Sequence, residues 1–151
     1  MGDVMLATFG IVILVVFSAL PVRAVYLEVV EAFIQGDYET AYRDLAPFAN
    51  SGEAEAQLFM GIMEQNGFGA QKNLEDTANW YQLVGSQGNP DAQYNLALLY
   101  GNGLGVPLDH SQSAAWLRKA AEQGHAETQY RLGMLLIAGQ GVSQDVAEAA
   151  V

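Results

Sequence analysis

The chain repeats itself at a step of 36 residues. Gly52, Gly88 and Gly124 keep this spacing, as do Gln57, Gln93 and Gln129. So do Gly67, Gly103 and Gly139, Gly69, Gly105 and Gly141, Ala78, Ala114 and Ala150, and the pair Trp80 and Trp116. Nine of 36 positions are identical between residues 52–87 and 88–123, and ten of 28 between 88–115 and 124–151. A fixed step of this length marks stacked supersecondary units, each too small to bury its own apolar face, so that neighbours complete the core.

Each block reads as two helices. In 88–123, Gly88 closes the preceding helix in a left-handed position, Asn89 caps the next and Pro90 suits its first position. Asp91 lies in the first turn, favourable to the helix dipole, and its counterparts Glu55 and Glu127 are also acidic. Ala92, Leu96 and Leu99 form one apolar face. The segment Gly103-Leu-Gly105-Val-Pro107-Leu is a turn, and Asp109 caps the second helix, as Asn73 and Asp145 do in their blocks. Ala114, Leu117 and Ala121 make its inner stripe. Small residues at Gly61, Ala97 and Gly133 predict a first helix pressed against another backbone, since glycine inside a helix costs about 1 kcal/mol relative to alanine.

Residues 25–51 are a diverged copy. A helix over 25–35 is expected to turn Leu27, Val30 and Ile34 inward, with Gly36 ending it. Asp37 caps a second helix from Tyr38 to Asn50, in which Pro47 predicts a kink or an early end. At the other end, the second helix of the third block has only Val146–Val151. This leaves two expectations: a longer array, or an open end covered by another chain, because solenoids normally finish in a polar cap.

Residues 88–124, with Ala92-Gln93, Leu96, Gly103-x-Gly105-Val106, Asp109, Ala114, Trp116, Ala120-Ala121 and Gln123-Gly124, resemble the Sel-one-like repeat (SLR) family, relatives of the tetratricopeptide repeat. Residues 52–87 match less closely, with Ala70, Asn73 and Val84-Gly85 departing from the pattern. Gly36-Asp-Tyr-Glu-Thr-Ala-Tyr42 is similar to the first hairpin of exported bacterial members. The resemblance implies an all-α solenoid of antiparallel helix pairs with a right-handed stack, and a role as a scaffold for protein contacts. The domain reading is therefore 1–24 leader, 25–51 diverged hairpin, 52–87 and 88–123 full repeats, and 124–151 an incomplete third.

The leader explains an odd composition. The chain is 51% hydrophobic yet carries a net charge of −11. The uncharged run Val4–Leu20, followed by Pro21 and Val22-Arg23-Ala24, has the layout of a secretory signal cut after Ala24, except that Asp3 stands where a positive residue is expected. A cleaved signal places the chain in a periplasm or outside the cell. An uncleaved membrane anchor and a buried core helix are the alternatives. The acidity excludes nucleic acid and anionic membrane surfaces as partners. The absence of cysteine excludes disulfides, thiolate metal sites and thiol catalysis.

No catalytic, cofactor or metal site is expected. His110 and His125 read as exposed residues beside turns, and no H-E-x-x-H, G-x-S-x-G or Walker loop is present. Each Gly-x-Gly turn precedes an acidic or amide cap rather than Lys, which makes it a structural turn and not a phosphate cradle. The acid pairs Glu53/Glu55 and Glu75/Asp76 read as helix-start electrostatics. Some cysteine-rich relatives are associated with β-lactam or cell-wall binding, but this chain has neither their cysteines nor a Ser-x-x-Lys motif. Self-assembly through the third block is a further alternative.

Comparison among the blocks separates structure from recognition. Positions identical in all three blocks build the array, Gly52, Gly88, Gly124, Gly67, Gly69, Gly103, Gly105, Gly139 and Gly141, together with Trp80 and Trp116, shared by the first two. Gln57, Gln93 and Gln129 belong here if they fix a neighbouring loop, or form an amide ladder toward a ligand. The varying positions Leu58/Tyr94/Tyr130 and Phe59/Asn95/Arg131 are free to specify a partner. Tyr94, Asn95, Tyr130 and Arg131, with Gln93 and Gln129, are the contact candidates for a protein or peptide. Charge is uneven: residues 25–66 hold eight acids and one base, 67–151 eight acids and four bases.

Overall fold

The computed structural model describes residues 20–124 and 126–139. Among them lie seven helices and no strand: α1 (Leu20–Ile34), α2 (Tyr38–Ser51), α3 (Ala54–Asn66), α4 (Leu74–Ser86), α5 (Pro90–Asn102), α6 (His110–Ala121) and α7 (Ala126–Ala138). Each helix packs on its sequence neighbours, so the chain is an α-solenoid with a 36-residue step. The proposed leader falls almost wholly outside the described residues, as do His125, Gly141, Asp145 and the second helix of the third block. None of the described helices is long and apolar enough to cross a membrane.

The caps act where the sequence places them. Asp37 accepts from Thr40 N, Asn73 from Glu75 and Asp76 N, Asn89 from Ala92 N and Asp109 from Gln112 N. Glu55, Asp91 and Glu127 occupy first turns. The stripes Ala92/Leu96/Leu99 and Ala114/Leu117 are buried, and Ala120, with Trp116, lies deeper than Ala121.

The Gly-x-Gly turns have a tertiary purpose. Gly69 and Gly105 take positive φ, and a Cβ on either would run into backbone: the Tyr38 carbonyl for Gly69, the Leu74 carbonyl for Gly105. Tyr38 and Leu74 open the second helix of the preceding hairpin. Each turn therefore lies against the unit before it, and only glycine permits that approach. Matching backbone bonds tie both turns: Phe68 N to Met63 O and Leu104 N to Leu99 O, then Asn73 N to Glu64 O and Asp109 N to Tyr100 O.

Three local expectations are corrected. The inward face of α1 is Tyr26, Val29, Ala32 and Phe33, while Leu27 (53% exposed) and Ile34 (59%) face outward. The aromatic stripe wins because its rings find partners: Tyr26 packs on Phe48, and Phe33 meets Tyr38 and Phe68 edge-on. Pro47 does not end α2 early, since the helix continues to Ser51. Pro47 and Arg43, whose carbonyl loses its donor, are both exposed, so the interruption falls on the outer face of the helix. Finally, Gly61 is pressed by side chains rather than backbone: an added Cβ would meet Tyr81 Cε1 at 2.8 Å and Trp80 Cβ at 3.2 Å.

Candidate functional site

The repeated glutamines work with the repeated glycines. Gln57 Nε2 donates to Ala49 O (3.1 Å), Gln93 Nε2 to Gly85 O (2.9 Å) and Gln129 Nε2 to Ala121 O (3.3 Å). The same three carbonyls accept from Gly52 N, Gly88 N and Gly124 N. Each helix end thus uses both carbonyl lone pairs, one on the closing glycine and one on the next helix. Gln93 is 3% exposed, and its Oε1 also accepts from Gln123 Nε2 (2.9 Å), so its amide is committed to the fold. Gln129 is exposed.

The varying positions sit on α5 and α7. Tyr130 is 67% exposed, whereas Tyr94 and Asn95 are half-buried. Arg131 spans toward α5: its guanidinium carbon lies 5.5 Å from the Tyr94 ring centroid, and its Nε donates to Glu127 Oε1 at 2.9 Å. This cation–π contact joins two residues that the comparison of blocks picks out separately.

Between α5, α6 and α7 opens a pocket of about 420 Å³, within the ~300–1,000 Å³ range of ligand pockets. Its floor includes Ala97, Leu98, Leu117 and Leu135, while Tyr130 and Arg131 line it from α7. His110, expected to be a bystander at a turn, is half-buried and lines the pocket with Ser113. Ser113 Oγ is engaged, donating to Ala97 O at 2.8 Å. Sequence reasoning missed this pocket; its signal is the loss of Gln65 and Tyr81 at the matching positions Gly101 and Leu117.

The acid pairs serve the fold. Glu53 accepts from Tyr26 OH at 2.8 Å, and Glu75 and Asp76 lie in the first turn of α4. Burial, reinforced by Glu53, raises the Tyr26 phenol above its ordinary range. Burial, reinforced by Glu64, pushes the Tyr42 phenol up to about 12. Trp80 is half-buried and donates to Glu64 Oε1 (3.2 Å). Trp116 is buried, with Lys119 Nζ 3.9 Å from its ring centroid. Among the described residues, no group of three His, Asp or Glu side chains is placed to hold a metal ion.

Comparison with known proteins now places the chain. Three successive Sel1 repeat models match residues 54–89, 90–125 and 126–151. No curated protein matches the sequence. A Sel1 repeat protein from Oxalobacter formigenes has a similar solved structure, with 33% identity and a TM-score of 0.76 over 82% of this chain and 51% of its own. The protective antigen c5321, present in uropathogenic Escherichia coli and displaying an SLR fold, is 39% identical with a TM-score of 0.68 over 72% of this chain and 23% of its own. Cysteine-rich protein B of Helicobacter pylori shares the fold at 20% identity, with a TM-score of 0.55 over 59% of this chain and 67% of its own. The chain thus spans about half the length of the first of these proteins and about a quarter of the second. Three consecutive family matches over more than half the chain, on helix pairs whose repeated glycines and glutamines have one structural task each, show that this chain belongs to the Sel1 repeat family.

Proposed function

We propose that this chain is a non-catalytic scaffold that binds a protein or peptide on the concave face formed by α3, α5 and α7, through Tyr94, Asn95, Tyr130 and Arg131. Sel1 repeats generally serve protein interaction. The observation that carries the reading for this chain is the division of positions. Among the described residues held constant between blocks, the glutamines bond the preceding helix ends and the glycines close helices and turns. Tyr130 and Arg131, which vary, remain at the surface beside a pocket. The proposal includes export, with residues 1–24 as a signal and the periplasm or cell exterior as the site of action; it is supported by the uncharged run Val4–Leu20.

A photo-crosslinking amino acid at position 130, compared with one at the exposed Gln82 of α4, tests the binding face in the natural host. Adducts from 130 and none from 82 are expected. Adducts from both, or from neither, refute it. N-terminal sequencing of the same protein reads the cleavage: a chain beginning at Met1 refutes the cleaved signal.

A further inference from the structure

In residues 52–87 the chain fills the gap between paired helices with its own ring. Tyr81 is fully buried and donates its hydroxyl to Gln65 Oε1 at 2.6 Å. The ring lies where a Cβ on Gly61 would touch it. One step of 36 residues on, all three members of this group change together. Ala97 stands in the place of Gly61, Gly101 in the place of Gln65, and Leu117 in the place of Tyr81. All three line the pocket. The hydroxyl's partner and the phenol are both gone, and the pocket opens beside the residues that replace them.

We propose that the pocket between α5, α6 and α7 receives the aromatic side chain of a partner peptide, with an acidic residue beside it. The inference rests on the scaffold reading and names the chemistry of its ligand. Two helix pairs of the same family geometry leave the same kind of slot, and in the first of them the slot holds a phenol ring. In the second the ring must come from outside. The apolar floor of Ala97, Leu98, Leu117 and Leu135 suits a ring. The exposed Tyr130 offers an aromatic face at the mouth, and Asn102 and His110 offer polar groups for a ring substituent. Among the described residues that line the pocket, Arg131 is the only Arg, Lys, Asp or Glu. Against the acidity of the whole chain, net charge −11, this local cation gives a carboxylate beside the ring a complementary group and sets a basic neighbour against a like charge. Glu127 takes its Nε, and a guanidinium has further donors to offer.

The test uses the full chain with labelled methyl groups, titrated with acetyl-Tyr-Asp-amide, acetyl-Leu-Asp-amide and acetyl-Tyr-Lys-amide and followed by NMR. The first peptide is expected to shift the methyls of Ala97, Leu117 and Leu135, with each of the others about tenfold weaker, the order of one ring contact or one ion pair. A triple variant Ala97→Gly/Gly101→Gln/Leu117→Tyr copies the closed arrangement of the preceding block and is expected to abolish these shifts while staying folded. If it fails to fold, Arg131→Gln decides: it should equalise the Asp and Lys peptides and keep the preference for Tyr over Leu. Equal binding of the Tyr and Leu peptides overturns the proposal, as does binding that persists in a folded triple variant. So do pocket methyls already covered in the free chain by residues 140–151, or by a second copy in a concentration-dependent dimer. Crosslinks from position 130 alongside any of these results leave the scaffold reading standing; their absence removes it separately.

Discussion

Gly67 and Gly69 form a matched pair that isolates the energy of the contact between hairpins. Their φ angles are +73° and +72°, so alanine pays the same backbone cost at each, about 1–2 kcal/mol for a left-handed L residue. Their surroundings differ. A Cβ at 67 has nothing closer than Lys72 Cβ at 3.7 Å, an ordinary contact. A Cβ at 69 would enter the Tyr38 carbonyl and come within 2.7 Å of Tyr42 Cβ. Neither can swing away, because both belong to the first turns of α2. Overpacking of this kind adds about 1–3 kcal/mol. Gly69→Ala is therefore expected to lose about 2 kcal/mol more than Gly67→Ala, or roughly 4–8 °C in Tm for a chain of this size. Urea unfolding followed by circular dichroism at 222 nm, with unchanged slope, measures the difference. The same order is expected for Gly105→Ala over Gly103→Ala, with a smaller gap, because a Cβ at 103 already approaches Leu108 Cβ to 3.2 Å. Equal midpoints within either pair would show that the turns do not bear on the preceding hairpin, and the account of the repeated Gly-x-Gly would fail.

Three further outcomes follow from the same geometry. Gln93→Leu removes a buried bond to Gly85 O and the acceptor for Gln123; a loss of about 1 kcal/mol is expected, against a few tenths for the exposed Gln129→Leu, and thermal melts in the opposite order would contradict the helix-end role. Asp109→Ala deletes the cap on Gln112 N and is expected to cost about 1 kcal/mol in chemical denaturation; no change in midpoint would dismiss the cap. The Tyr42 phenol is raised from its ordinary value of 10 to about 12, by burial first and then by Glu64. The unfolded chain therefore releases this proton before the folded one does. The stability it contributes is whole below pH 10 and is lost as pH climbs from 10 through about 12. Tyr42→Phe should flatten that part of the alkaline stability profile, and an unchanged profile would show that the phenol does not titrate with folding.

What was legible in the sequence was local. Helix caps and left-handed glycines depend on residues a few positions apart, the 36-residue step on simple recurrence, and among the described residues the structure places them as read. Where neighbours from afar decide, the reading slipped. In α1 the stripes Leu27/Val30/Ile34 and Tyr26/Val29/Phe33 are equally apolar, and the choice rests on Phe48 and Phe68, far along the chain. The crowding at Gly61 was visible in its repetition, but its cause, the Tyr81 ring, was not. Tyr94 and Arg131 stand out in the sequence because their positions vary between blocks, yet only packing shows that they meet. The pocket escaped notice because it is made by absence: Gly101 and Leu117 are ordinary residues until Gln65 and Tyr81 are seen filling the same space.

The apolar core of the described residues divides into two clusters, and the division accounts for a buried acid between them. One cluster runs through α1, α2 and α3 and is joined by Trp80. The other runs from α4 to α7 and takes in Leu58 and Ile62 from the far side of α3. Glu64 sits where they meet, 6% exposed, its Oε1 accepting from Tyr42 OH at 2.7 Å and from Trp80 Nε1. The repeat does not demand an acid there, since Tyr100 and Leu136 hold the matching positions. A buried carboxylate is expensive, and an apolar residue would pack more cheaply. What the acid adds is direction. In an array stabilised by contacts between neighbours, apolar faces can slide by a turn and still be buried. Tyr42 on α2, Glu64 on α3 and Trp80 on α4 bond only in one register. Of the units in this chain, the diverged hairpin 25–51 lacks the long Gly-x-Gly turn that aligns its successors. The polar knot at Glu64, together with Gly69 seated on the Tyr38 backbone, fixes that hairpin to the first full repeat, where the repeat signature alone would leave its register least determined.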